Sequence, residues 1–425
     1  MQTSASITGY NKSVYGIARP RCRASWHEGV RRGRTLRSSM YNFTFHVPTT
    51  IHFGKGQISH LAELASYGSR ALLCYGGGSI KRNGIYDQAL SILKDAGVQV
   101  FELAGVEPNP RIQTVRRGVE LCHQNDVQMV LAIGGGSTID CAKVVAAGAK
   151  YDGDAWDLVI KPGLIKDALP IFSVLTLSAT GSEMDAFAVI SDMTKNEKWG
   201  TAGECLKPAM SVLDPTYTFS VPARQTAAGT ADMMSHTFEN YFSMDEGAYV
   251  QKRMAEALLK TMIHYGPIAL AHPNDYDARA NLMWAASHAI NGLVGDGCSP
   301  AWCVHPMEHE LSAFYDITHG EGLAILTPAW MEHVLSADTV ALFATYGRNV
   351  WGLTGTEDEA VAREAIVRTR EFFTQTMHMP ATLREVGITD EKNFEVMAQK
   401  AADGCKGSFV PLSKDDIVEI YRAAL

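Results

Sequence analysis

The sequence predicts an α/β domain built on a parallel sheet, followed by an all-helical domain. Three observations predict it. Between Ala71 and Ile133, short apolar runs alternate with helical stretches, the pattern of successive βαβ units. The runs ALLCY and MVLAI are continuously apolar, as strands buried on both faces require. After about Pro222 strand patterns give way to long stretches of helical periodicity.

Residues 1–39 stand apart from this plan. They hold seven arginines and one lysine against a single acid, Glu28, while the rest of the chain carries 30 basic and 45 acidic residues. No apolar segment of secretory type occurs there, and an Arg-rich, acid-poor stretch fits an organellar transit peptide or translated sequence ahead of a start at Met40. The second reading is preferred, the segment is expected to be disordered, and it is left out of the fold. From Met40, Phe43, Phe45 and Val47 alternate as a half-buried strand, Pro48 interrupts it, and Ile51–Phe53 resumes before a Gly54-Lys55-Gly56 turn, which predicts an opening hairpin or edge strand. Strands then follow at Ala71–Tyr75, Val98–Leu103 and Met129–Ile133, with helices at about Tyr86–Lys94 and Gln113–His123 between them. Ile171–Leu175, Ala186–Ile190 and Met210–Leu213 complete the strands of an α/β domain spanning 40–220. The helical domain, 221–425, is predicted to include helices at Val250–His264, Tyr276–Asn291 and Ala360–Met377.

Composition narrows the class. A chain of 425 residues, 46% hydrophobic and 20% charged, is long enough for two domains with their own cores. It has no apolar run of the length needed to cross a bilayer, and a net charge of −8 argues against a general nucleic-acid binder. Eight cysteines without a CxxC pair indicate neither a disulfide framework nor a thiolate cluster, so a reducing compartment, the cytoplasm, is expected unless residues 1–39 direct import.

Two glycine triplets end strands of the first domain: Gly76-Gly77-Gly78-Ser79 and Gly134-Gly135-Gly136-Ser137. The second runs into the helical sequence STIDCAKVVAAGA. Backbone without Cβ can approach an anion closely, and the N–H groups opening a helix bind phosphate, so Gly134, Gly135, Gly136 and Ser137 read as a diphosphate cradle. A ligand-free turn is the alternative for either triplet alone, but two at the carboxyl ends of strands in one parallel sheet lie where open α/β folds bind ligands. After the first triplet come Lys81 and Arg82, with no acid until Asp87. That favours NADP(H), with Gly77, Gly78 and Ser79 around a 2′-phosphate; a solvated basic patch is the other reading.

The stretch WCVHPMEHELSAFYDITHGEG sets His305, His309 and His319 close together. His305 and His309 are four residues apart and share a helix face; His319 follows a break at Asp316–Thr318. Asp232 and His236, in AAGTADMMSHTFENYF, have the same four-residue spacing. Asp232, His236, His305 and His319 together offer one oxygen and three nitrogens, a set suited to Fe²⁺ or Zn²⁺ more than to Mg²⁺ or Ca²⁺. Taken singly, each of these residues could equally be a helix-end charge or a packed histidine.

These residues carry a resemblance. From Met40 to Leu425 the chain resembles the iron-containing (group III) alcohol dehydrogenases, in particular their NADPH-dependent butanol dehydrogenase and aldehyde reductase subgroup. The resemblance lies in FGKG at 53–56, YGGGS at 75–79, EPNP at 107–110, GGGSTIDCAK at 134–143, LTLSATGSE at 175–183, LDP at 213–215, the Asp232/His236 pair and WCVHPMEHELSAFYDITHG. It implies the dehydroquinate synthase-like fold of that family. It also implies Asp232, His236, His305 and His319 as metal ligands, and His309 as a catalytic residue near the nicotinamide. Gly134–Ser137 would hold the diphosphate, Gly77 and Ser79 the 2′-phosphate. Asp140, Thr176 and Thr180 would lie along the cofactor cleft, and Lys198 would reach a cofactor hydroxyl. Asp185 departs from the neutral residue expected after TGSE. His288 is read as packing between helices, Met233, Met234, Trp284 and Trp302 as core or pocket lining, and Cys303 as a wall residue.

The expected chemistry is hydride transfer between NADP(H) and a primary alcohol or aldehyde, its oxygen polarised by the metal, with His309 on the proton route. A small-molecule substrate and a homodimer are expected, with neither nucleic acid nor membrane as partner. Two alternatives stay open: a same-fold lyase of the dehydroquinate synthase kind, which regenerates NAD within each turnover, and a catalytically silent nucleotide or metal sensor.

Overall fold

The computed structural model describes residues 40–244, 247–299 and 302–425, so the readings made for residues 1–39 lie outside the described residues. Among the described residues eight strands form: β1 (Thr50–Phe53), β2 (Arg70–Tyr75), β3 (Gln99–Ala104), β4 (Met129–Gly134), β5 (Ile171–Leu175), β6 (Phe187–Asp192), β7 (Glu197–Ala202) and β8 (Met210–Leu213). Six of them make one parallel sheet in the order β1-β8-β5-β4-β2-β3. Residues of β2, β4, β5 and β8 are almost wholly buried, which is why their sequences are apolar without alternation.

The helices of this domain are α1 (Ser79–Arg82), α2 (Ile85–Asp95), α3 (Ile112–Gln124), α4 (Gly136–Gly148) and α5 (Ala155–Ile160). One sheet face packs Leu73, Ile133 and Val174 against α2 and a 3₁₀ helix, Gln57–Ser66. The other packs Leu72, Val130 and Leu175 against α3 and α4. Because β4 and β2 are neighbours, the two glycine loops emerge side by side at the carboxyl edge of the sheet.

The second half is helical: α6 (Ala223–Tyr241), α7 (Tyr249–Ala271), α8 (Tyr276–Ile290), α9 (Val304–Tyr315), α10 (His319–Val334), α11 (Val340–Trp351), α12 (Asp358–Glu371), α13 (Phe394–Cys405) and α14 (Lys414–Ala423). Its core joins α6, α10 and α11 through Phe238, Phe242, Trp330, Phe343 and Tyr346, with ring centroids 4.6–5.7 Å apart in successive contacts. A π-helical turn, Phe372–Thr376, continues α12, so the single helix predicted to Met377 ends in a wider coil. No described helix is long and apolar enough to cross a membrane.

Three expectations change. Phe43–Val47 forms no strand; Phe43 and Phe45 are 50% and 48% exposed, and the segment has no ladder partner among the described residues. Residues 51–53 do enter an edge strand, but it runs parallel to β8, so there is no opening hairpin. The strand predicted at Ala186–Ile190 leaves the main sheet and pairs antiparallel with β7, which the sequence reading missed. Asn196, at φ 49°, makes the tight reversal between them.

Candidate functional site

Asp232 and His236 lie one turn apart on α6, both buried. His305 sits in the first turn of α9, and His319 is the first residue of α10. Asp316, in the left-handed region at φ 51°, ends α9 and reverses the chain so that His319 returns beside His305. Gly320 lets α10 come close to α6, since a Cβ there would stand 2.1 Å from the Ala228 carbonyl oxygen. Arg224 and Glu321 tie the same two helices with hydrogen bonds of 2.5 and 2.6 Å.

Asp232, His305 and His319 bring donor atoms within 4.8 Å of one another, and His236 approaches Asp232 beside them. Asp232 Oδ1 lies 3.6 Å from His236 Nε2, 3.8 Å from His305 Nε2 and 3.7 Å from His319 Nε2. These separations are too long for hydrogen bonds, yet two donors about 2.1 Å from a tetrahedral ion would stand roughly 3.4 Å apart. Asp232 Oδ1 and His305 Nε2 are buried and have no hydrogen-bond partner. A divalent ion at the centre of this set would satisfy both, and one oxygen with three imidazoles is a donor set that suits iron or zinc.

The opposite nitrogens are fixed by carboxylates. His305 Nδ1 contacts Glu239, and His319 Nδ1 contacts Glu308. An imidazole that gives its Nδ1 proton to a carboxylate presents a bare Nε2 lone pair. Glu239 also accepts from the backbone N–H groups of Cys303 and Val304, at 2.6 and 2.7 Å, so it caps α9 while orienting His305. Glu308 accepts from Lys198 Nζ at 3.2 Å, and that ammonium lies 3.3 Å from His319 Nδ1.

Electrostatics follow from this enclosure. Burial alone would raise the Asp232 carboxyl, but the imidazoles of His236, His305 and His319 hold it well below the usual carboxylate range. Burial pushes His236 down to about 3. It would lower His305 too, but Glu239 and Asp232 on its two sides bring that imidazole up to about 9. His309 is held well below its ordinary value by burial, with Lys198 and His319 adding to the effect. It stays neutral near pH 7.

The cluster opens on a cleft of about 550 Å³ between the sheet's carboxyl edge and the helical half. Gly136, Ser137, Asp140, Thr180 and Lys198 line it, as do Asp232, His236, His305, His309 and His319. A Cβ on Gly134 would meet Thr138 Oγ1 at 2.4 Å, and one on Gly136 would meet Thr180 Oγ1 at 2.2 Å, so glycine is required where β4 turns into α4. Thr176 is held by its N–H on the Gly134 carbonyl oxygen, 2.9 Å away, and is not part of the cleft wall. Gly77, Gly78 and Ser79 stand outside this cavity on the neighbouring loop, where Gly78 adopts φ 89°.

Several side chains are engaged otherwise than expected. Asp140 spends both oxygens inside the protein, accepting from Ser182 Oγ at 2.6 Å and Val189 N–H at 2.9 Å. Lys198, expected at a cofactor hydroxyl, has its ammonium on Glu308 and His319. Lys81 lies over the rings of Tyr75 and Tyr86 and 3.8 Å from Glu102, an acid that β3 brings to this loop although it is distant in sequence. Asp185 pairs with the fully buried Lys143 at 2.7 Å, which accounts for a charge at that position. Trp284, read as core or pocket lining, is 43% exposed, edge-on to Phe53 and His288. Cys303 is buried, and its thiol is pushed well above the ordinary range by that burial.

Glu239 and Glu308 were missed by sequence reasoning. The signal was present: Asp232, His236 and Glu239 fall at i, i+4 and i+7 of one helix, a single face.

The family description for iron-containing alcohol dehydrogenase matches residues 48–215, and that for the Fe-containing alcohol dehydrogenase family, C-terminal, matches 226–425. The chain is 58% identical over 388 residues to NADH-dependent butanol dehydrogenase A of Clostridium acetobutylicum, covering 90% of this chain and 99% of that one. It is 43% identical over 354 residues to the NADPH-dependent aldehyde reductase YqhD of Escherichia coli, covering 82% and 90%. The crystal structure of NADH-dependent butanol dehydrogenase A from Thermotoga maritima superposes with a TM-score of 0.87 at 38% identity, over 91% of this chain and all of that one.

Proposed function

This chain belongs to the iron-containing alcohol dehydrogenase family, and from that premise we propose that it interconverts a primary alcohol and its aldehyde, with NADP(H) as hydride carrier and Fe²⁺ or Zn²⁺ held by Asp232, His236, His305 and His319. The observation that carries the reading is the convergence of three Nε2 atoms on Asp232 Oδ1 at 3.6–3.8 Å, facing the cleft. A divalent ion bound there supplies Lewis acidity to an alcohol or carbonyl oxygen.

The chain's own residues supply the rest. Glu239 and Glu308 keep the imidazole lone pairs aimed inward. The glycines at 134–136 leave the opening of α4 accessible to a diphosphate. His309, in the cleft wall with its ring 5.6 Å from that of His319 and neutral near pH 7, is the proton acceptor when alcohol is oxidised. Replacing it with Gln should leave bound metal unchanged and slow turnover by about 10²–10⁴.

A second reading concerns the cofactor. The bare Gly77–Gly78 backbone and the Ser79 hydroxyl suit a 2′-phosphate, but the Lys81 charge already faces Glu102 and two tyrosine rings. That engagement favours NADH, as do relatives named NADH-dependent at 58% and 55% identity.

The edge strand β1 and the exposed Tyr41, Phe43, Phe45 and Phe53 around it support a homodimer formed along this margin. Five buried cysteine thiols, Cys74, Cys122, Cys141, Cys303 and Cys405, suit the reducing cytoplasm. The deciding experiment is aldehyde-dependent oxidation of NADPH and of NADH, with and without added Fe²⁺ or Zn²⁺. Net oxidation supported by metal is expected; metal-independent oxidation would overturn the Lewis-acid role, and absence of net oxidation would favour the lyase or the silent sensor.

A further inference from the structure

We propose a second divalent metal site, remote from the cleft, in which His52, His60 and Glu63 bind a borderline transition ion such as Zn²⁺. The arrangement follows from two periodicities. Ile51 packs on one sheet face and Phe53 meets Trp284 on that same side, so strand alternation turns His52 to the other face. Over that face runs the 3₁₀ helix Gln57–Ser66, which buries Ile58, Leu61 and Leu64. Three residues per turn makes those side chains one ridge and stacks His60 above Glu63 on the next.

The result is a compact donor set. The two imidazoles lie face to face, with centroids 3.5 Å apart and planes at 9°. His60 Nδ1 is 2.6 Å from Glu63 Oε1, and His52 Nε2 is 3.9 Å from the same oxygen. One nitrogen of each ring and one carboxylate oxygen all lie within 4.8 Å of one another. His52 Nε2 is buried and has no hydrogen-bond partner. A polar atom in that state is costly, and here it faces the carboxylate side of the cluster. None of the three residues lines the catalytic cleft.

Two imidazoles and one carboxylate form a ligand type that zinc accepts with a water as fourth ligand. Glu63 is 55% exposed, so water can reach that position. Opening the two stacked rings by rotation about their side-chain bonds turns both lone pairs toward one point, and coordination then replaces the His60–Glu63 hydrogen bond. Mg²⁺ and Ca²⁺, which prefer oxygen donors, are excluded by the same set. The ion would join the edge strand β1 to the helix that follows it.

The test compares the full-length protein with His60→Gln and Glu63→Gln by equilibrium dialysis against Zn²⁺ with metal analysis, and with thermal melting on addition of Zn²⁺. Both substituted side chains are partly exposed, and circular dichroism establishes that each variant is folded. The expected result is that wild type binds one more zinc per chain than either variant and gains a zinc-dependent rise in melting temperature that both variants lose. Equal zinc content in all three proteins, or an additional ion displaced by excess Mg²⁺, would overturn the proposal. Because the readout is a difference between variants that leave the cleft intact, it does not depend on which ion occupies the catalytic cluster.

Discussion

Replacing Glu239 with Gln isolates what a single carboxylate does for the cluster of Asp232 and the three imidazoles, the proposed metal site. The amide oxygen can still accept from the Cys303 and Val304 N–H groups, which now lie 2.6 and 2.7 Å from Glu239 Oε1, so the cap of α9 survives. The amide nitrogen then takes the place of Oε2, the atom that now faces His305 Nδ1. It is a donor, so Nδ1 must become the acceptor and the ring proton moves to Nε2, the atom aimed at Asp232. A protonated Nε2 has no lone pair for an ion. Loss of such an outer carboxylate weakens metal binding about 10- to 100-fold, equivalent to roughly 1.4–2.7 kcal/mol. The assay is metal retained per chain after dialysis against a graded chelator series, read beside kcat of the reloaded enzyme. A chelator midpoint identical to wild type would refute the argument that Glu239 sets the His305 tautomer. A folding defect would be a different outcome, visible in the melting temperature without metal.

Three further outcomes follow from other contacts. Asp232→Ala should abolish bound metal and activity together while the circular dichroism spectrum is retained, checked by metal analysis; an active metal-free variant would remove Asp232 from the ligand set. Ser79→Asp, which places a carboxylate at the start of α1, should raise KM for NADPH by about tenfold or more through like-charge repulsion and leave NADH nearly unaffected, measured by steady-state kinetics with both cofactors. Glu183 is fully buried with one oxygen on Ser287 Oγ and the other unpartnered, and burial pushes its carboxyl up to about 7. A carboxyl whose folded pKa is raised holds its proton more tightly in the native state, so its contribution is complete below about pH 4.5 and is lost as pH rises through about 7. Glu183→Gln should therefore gain on the order of 3 kcal/mol relative to wild type between pH 4.5 and 8, measured by urea unfolding; a pH-independent difference would refute it.

The parallel sheet was legible because burial on both faces leaves a mark that needs no knowledge of the partner strand: ALLCY and MVLAI are apolar throughout. β7, EKWGTA, left no such mark. Its burial is uneven, with Trp199 42% exposed and Lys198 nearly buried, since only one side of the β6–β7 ribbon rests on protein. Phe43–Val47 failed for the converse reason. Alternation records a side-chain pattern but not a ladder partner, and a strand exists only with one.

The cluster facing the cleft shows a sharper asymmetry. Asp232 and His236 were legible because residues at i and i+4 on one helix share a face, and His305 and His319 because one short stretch carries them on either side of a chain reversal. Their supporting carboxylates were missed, although Glu239 is itself local to α6, because a Glu in a helix is ordinarily a solvated surface residue. Helix α6 removes that default: from Thr226 to Tyr241 every residue is buried, so an acid there must have a partner to be tolerated. Glu308 obeys the same logic inside the apolar stretch around Met307 and Leu311. Lys198 then becomes intelligible as the cation that lets Glu308 remain ionised beside His319, since burial alone would raise that carboxyl and the neighbouring positive groups bring it well below its usual range. The rule that emerges is physical: once a helix is known to be buried, its acids locate the donors they orient, and a lysine from a distant strand can be assigned by the charge it must balance.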